Sequence, residues 1–133
     1  TKDQVDFFNA ANCHLKDGGI LAFDTRNLEN KAYGNNLEME FKRKMVNNAG
    51  QSIQVYMASQ YDKATQLDHA KIERKNLTNG EAHLSEIYLK YTSQKELNKT
   101  LTECGFQIVH QYGFWEKSPF TQESPELITI CKK

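Results

Sequence analysis

The chain has 133 residues, with 17 lysines and arginines balanced by 17 aspartates and glutamates, and a mean hydropathy of -0.73. That length holds one domain with a moderate core, and the absence of a basic excess or clustered patch argues against nucleic acid or an anionic membrane as a partner. Aromatic residues spread along the chain exclude a disordered polypeptide, while the low hydropathy sets the expectation that another chain supplies part of the burial.

Read as it stands, the sequence shows no signal peptide and no apolar run of about 18 residues, so a cytoplasmic protein without membrane contact is expected. Its first residue is Thr1 rather than Met, which places the expected start upstream. Cys13, Cys104 and Cys131 form no CxxC and no metal-ligand spacing. All three fall in predicted helix or strand, and buried reduced thiols with no metal are expected.

The chain opens on DQVDFFNAANCHL (3–15), where Val5, Phe8 and Leu15 recur at helical spacing and Asp3 is the expected N-cap. KDGG (16–19) stops that helix, since glycine takes the left-handed conformation a C-cap needs. ILAF (20–23) then begins a strand over 20–25 that is apolar at consecutive positions. Such strands are normally buried on both faces in a parallel sheet, with a neighbour on each side. About twenty residues precede it and hold no other strand. Asn27 to Asn36 is a loop.

The middle of the chain alternates apolar and polar residues over 37–46, 52–61, 67–77 and 81–92, separated by Asn- and Gly-rich turns. That pattern predicts a four-stranded antiparallel meander. TSQKELNKTLTECG (92–105) follows, a helix with Ser93 and Glu96 in capping-box positions and Gly105 at its end. Strands are expected at 106–115 and 126–133, joined by a loop over 118–125.

This order, with these words in it, resembles the C-terminal half of class I S-adenosylmethionine-dependent methyltransferases of small-molecule type. The residues that carry the likeness are LKDGGILAFDT (15–25), YDKATQ (61–66), YLKYTSQKELNKTLTECGFQIV (88–109), WEKSPF (115–120) and ELITICKK (126–133). The resemblance implies an α/β fold: a partial Rossmann-like sheet of strands matching the family's fifth to seventh, within one domain over 1–133 that carries the meander as an insertion at 37–92. It departs from the family at the cofactor site, because the chain has no GxGxG turn to close on the ligand and no first four strands. S-adenosylmethionine is therefore expected in an intact enzyme and not in this chain alone. In the family the fifth strand pairs with the fourth and the seventh; only the seventh has a counterpart here. An open edge of six residues leaves roughly three ladder hydrogen bonds unmade, each worth about 1 kcal/mol. Cover is expected from a homodimer or from a missing N-terminal half over the 20–25 edge.

Ligands of open α/β sheets sit beyond the carboxyl ends of the parallel strands, which nominates Asp24, Thr25 and Asn27 as acceptor-binding residues. Tyr33 lies in the following loop, where the family often has a lid. His69 and His83, on neighbouring strands, are candidate general bases, histidine being the side chain that changes charge near neutrality. Arg74, Tyr88 and Tyr91 are expected along one sheet face with them, and Trp115 near the acceptor or packed in its turn. Against each stands an ordinary structural role. The expected function is the substrate-side part of a methyltransferase acting on a small-molecule acceptor, inactive by itself; the alternative is a non-catalytic binding or dimerisation module built on the same half fold.

Overall fold

A computed structural model describes residues 1–30 and 36–133. Helix α1 (Lys2–His14) leads into β1 (Ile20–Arg26), followed by β2 (Asn36–Val46), β3 (Ser52–Asp62), β4 (Leu67–Asn76) and β5 (Ala82–Lys90). Helix α2 (Gln94–Glu103), β6 (Gln107–Tyr112) and β7 (Glu126–Lys132) complete the chain. It has an α/β fold with antiparallel sheets, divided into two compact units: Thr1–Lys31 with Tyr91–Lys133, and Ala32–Lys90.

In the first unit the strand order is β1-β7-β6, with β7 antiparallel to both neighbours. β1 and β6 therefore run parallel, and their carboxyl ends lie at the same end of the sheet. The register Leu21↔Cys131, Phe23↔Thr129, Thr25↔Leu127 sets these side chains on one face. There they meet Phe8 of α1 and Leu97 and Leu101 of α2, with Cys104 and Phe106, in one core. The Phe8 ring stands 5.4 Å from Phe23 and 6.4 Å from Phe106. Burying each such side chain contributes about 1.5–3 kcal/mol.

The strand at 20–26 differs from the expectation of cover on both faces. Both helices contribute to the core on the Leu21–Phe23 face, while Ile20, Ala22 and Asp24 of the other face are exposed, Ile20 by 53%. Among the described residues β1 has a single strand neighbour, the antiparallel β7, and its other edge is open.

Local signals explain the element ends. Helix α1 begins at Lys2 rather than after Asp3, because Thr1 is the N-cap and exchanges bonds with Gln4 in a capping box. Its C-terminal carbonyls of Asn12 and Leu15 accept from Lys133 Nζ at 2.8 and 2.9 Å, a cation where the helix dipole favours one. Helix α2 carries the expected box, Ser93 with Glu96, and the chain leaves it through Gly105 at φ +81°. Strand β6 stops at Tyr112, earlier than expected, because the Gly113 amide turns to the Ser118 carbonyl at 2.8 Å. Trp115 thus sits in a turn and is 60% exposed, so it is not packed there as expected. Cys104 and Cys131 are buried, and burial raises both thiol pKa values; Cys13, by contrast, lies on the open side of α1 and is exposed.

The second unit is the meander, order β2-β3-β4-β5, antiparallel throughout. Asparagine and aspartate side chains build its turns. Asn47 Oδ1 accepts from the amides of Ala49 and Gln51, Asp62 Oδ1 from Ala64, and Asn76 Oδ1 from Thr78. Among the described residues no helix is long and apolar enough to cross a membrane.

Candidate functional sites

Each unit has one place where sequence-predicted residues gather. In the first unit it is the carboxyl end of β1 and β6. Asp24 is exposed there on the face of Ile20 and Ala22, and the Thr25 hydroxyl donates to the Leu127 carbonyl at 3.4 Å. Asn27 behaves differently from the expected ligand contact. It is 3% exposed, and its amide donates to the carbonyls of Thr121, Gln122 and Ser124 at 3.2, 3.1 and 2.8 Å. Its Oδ1 accepts from the Glu29 amide at 3.0 Å. Asn27 is thus spent on holding the β6–β7 connection against β1, and Asn30 adds bonds to the Glu123 and Ser124 carbonyls. Ser124 closes that loop from within by accepting from the Thr121 amide at 2.9 Å, and a Cβ at Gly113 would stand 2.2 Å from its Oγ. Tyr33 lies outside the described residues.

Glu126, opposite Arg26 at the start of β7, was not singled out by the sequence. Its Oε2 is buried and has no hydrogen-bond partner among the described residues. Nothing in ELITICKK separates this glutamate from any strand-end charge, so no sequence signal pointed to it.

In the second unit the two histidines part company. Residues directly opposite in an antiparallel pair share a face, and successive residues alternate. His69 is opposite Tyr88, whereas His83 is opposite Arg74, five residues on along β4, so the two imidazoles project from opposite faces. Arg74 donates to Ser85 Oγ at 2.9 Å on the His83 side, and Tyr91 is buried beyond the end of β5, in the other unit. The expectation of one face carrying Arg74, Tyr88, Tyr91 and both histidines is therefore corrected: His69 and Tyr88 share one face of the meander, and Arg74 and His83 share the other. Alternation within each strand already separates His69 from Arg74 and Tyr88 from His83; which residues of β4 and β5 then share a face depends on the turn joining the strands.

The His69 face is the more elaborate. His69 Nε2 lies 2.7 Å from Glu86 Oε2, and the imidazole stacks on Tyr88 with centroids 4.3 Å apart and planes within 6°. Lys71 Nζ is 4.0 Å from the other Glu86 oxygen. Beside them is an open depression of about 140 Å³ lined by Asn36, Leu37, Ala58, Ser59, Gln60, His69 and Lys71. A carboxylate on Nε2 makes that nitrogen the proton donor and leaves Nδ1 as the basic one. Among the described residues no group of three or more metal-ligating side chains is found.

The described residues do not suit the methyltransferase cofactor in the manner of a glycine turn. Left-handed glycines stand at Gly18, Gly50, Gly80 and Gly105, each in a turn or just past a helix. The strand-to-helix passage from β5 to α2 is Tyr91-Thr92-Ser93, which holds no glycine.

No family model and no curated protein sequence matches the chain. Solved structures do match. The CcbJ methyltransferase of Streptomyces caelestis aligns with a TM-score of 0.80 at 18% identity, over 98% of this chain and 52% of that one. An S-adenosylmethionine-dependent methyltransferase of Clostridium acetobutylicum aligns at 0.81 and 14% identity, over 98% of this chain and 51% of that one. The sugar N-methyltransferase KedS8 of a Streptoalloteichus species aligns at 0.61 and 12% identity, over 95% and 47%. The chain therefore has the fold of part of these S-adenosylmethionine-dependent methyltransferases, in keeping with a C-terminal half, and spans about half the length of the proteins it matches.

Proposed function

We propose that this chain is the substrate-side, C-terminal portion of an S-adenosylmethionine-dependent methyltransferase for a small-molecule acceptor. The fold match supports this, since nearly all of the chain is covered by about half of each methyltransferase. In this reading β1, β6 and β7 take the places of the family's fifth, sixth and seventh strands, and the meander is an insertion, residues 37–92, in a single substrate-side domain. The open edge of β1 is where the cofactor-binding half, or a second copy of the chain, pairs. The cofactor belongs to that other half.

What this chain contributes is placement of the acceptor, which carries much of the catalysis in such transfers. Asp24, Thr25 and Trp115 stand at the carboxyl end of the β1–β6 sheet, where open α/β sheets bind ligands. Within the second unit His69, aligned by Glu86, is the candidate general base; His83 and Arg74, on the other face of that unit, are outside this assignment. An amine of a small sugar-like molecule is the favoured acceptor, since one matched protein is a sugar N-methyltransferase and another an amino pentose methyltransferase.

Calorimetry tests the reading. S-adenosylmethionine titrated into this polypeptide gives no binding heat, and joining the chain to a glycine-rich β-α-β half encoded immediately upstream restores one cofactor site and methyl transfer. Cofactor binding by this polypeptide alone contradicts the division of labour. Absence of any such upstream segment favours the dimerisation module instead.

A further inference from the structure

The depression beside His69 has a structural origin. Asn36 pairs with Ser59 and Glu40 with Met57, so four steps along β2 answer two along β3. Residues 37–39 thus answer the single position 58, two more than a regular ladder allows, and this bulge bends β2. What remains beneath is the small side chain of Ala58, with Gln60, His69 and Lys71 around it on the same face of β3 and β4. Bulges of this kind commonly stand next to binding sites.

We infer that this depression is a binding subsite for a neutral, hydroxyl-bearing ring the size of a monosaccharide, held by the Gln60 amide and by His69, with Glu86 as the positioning residue for the imidazole. Charge favours a neutral ligand. Glu86 lies 2.7 Å from His69 and 4.0 Å from Lys71, so a carboxylate and a lysine stand side by side at the depression and neither sign of charge prevails there. The lining offers a mixed set: Ala58 and Leu37 give apolar surface for a ring face, and the Gln60 side chain has no hydrogen bond among the described residues. That pairing of an apolar patch with convergent donors and acceptors suits a polyol ring and suits neither a phosphate nor a hydrocarbon. The volume holds roughly five waters at about 30 Å³ each, the bulk of one small ring, well below a drug-sized site. Stacking on Tyr88 and the bond to Glu86 fix the imidazole from two directions before any ligand arrives.

This goes beyond the substrate-side reading, since the depression lies wholly within the second unit and takes its ring there. The test is a backbone amide NMR titration of this chain with glucose and xylose, with glucosamine as the cationic and glucose 6-phosphate as the anionic comparison. The neutral sugars are expected to bind in the millimolar range and to shift the amides of Ala58, Gln60, His69 and Lys71. Gln60→Ala and Glu86→Leu, both at exposed positions and checked for an unchanged spectrum elsewhere, are expected to weaken binding at least tenfold. No shift at these amides with either neutral sugar overturns the inference, as does a response confined to glucosamine or to the phosphate, or equal binding by both variants. The cofactor is absent from the assay. Methyl transfer by an assembled enzyme with a silent depression thus sinks this inference alone, and sugar binding without any methyl transfer sinks only the functional reading.

Discussion

Replacing Asn27 by alanine should destabilise the first unit by about 3 kcal/mol. The two amide protons of Asn27 are shared among three carbonyls of residues 121–124, and its Oδ1 takes the Glu29 amide, all at a position 3% exposed. Counting two donated bonds and one accepted at about 1 kcal/mol each gives that figure. For a domain of this size it corresponds to a fall of roughly 10 °C in the melting midpoint. Asn27→Asp should cost at least as much, because it removes both donors and turns a carboxylate toward three carbonyls. Urea unfolding followed by fluorescence of Trp115, the single tryptophan, is well suited, since Trp115 lies in the connection that Asn27 secures. Hydrogen exchange at 121–126 should rise in parallel. A loss below about 0.5 kcal/mol, with exchange unchanged, would refute the assignment of Asn27 to the fold and return it to the ligand.

Three further outcomes are expected. Gln111 donates to Asn98 Oδ1 at 2.8 Å and to Thr129 Oγ1 at 3.1 Å, and Thr129 is fully buried. Gln111→Leu should therefore cost about 1–3 kcal/mol, and adding Thr129→Val should recover part of it in a double-mutant cycle; strict additivity of the two losses would contradict the network. A thiol reagent on the native chain should label Cys13 quickly and Cys104 and Cys131 only on unfolding, the latter two being buried with raised pKa values; fast labelling of all three would contradict their burial. The Thr65 hydroxyl and the Ala64 amide hold the Asp62 pKa below the ordinary carboxylate range. A lowered folded-state pKa gives stability that is present above the unfolded value and lost as the pH falls through the folded one. The turn at 62–65 should accordingly loosen only in acid, and Asp62→Asn should abolish that dependence in NMR spectra of the turn amides.

Elements with local chemistry were legible in the sequence. The Ser93–Glu96 box, the Asn-rich turns and the alternation of the meander each specify backbone geometry within a few residues. What depends on distant partners was not. The apolar run 20–23 says that burial is needed, yet not on which face; only the placement of Phe8, Leu97 and Leu101 decides that Leu21 and Phe23 face the core and Ile20 does not. At the sites, His69 was among the candidates, but its separation from His83 follows from the β4–β5 register. The bulge at 37–39 interrupts an unbroken alternation and is equally silent. Asn27 shows how one polar residue at a strand end serves either a ligand or a loop, the choice resting on carbonyls some 95 positions away.

The central claim is that β1 belongs inside a wider sheet whose remainder this chain does not hold. Sedimentation velocity of the purified chain at micromolar concentration tests it most directly. Self-association is predicted, with alternate β1 amides gaining exchange protection as the edge finds a partner. A stable, non-aggregating monomer over that concentration range, with the β1 edge open to exchange, would contradict it.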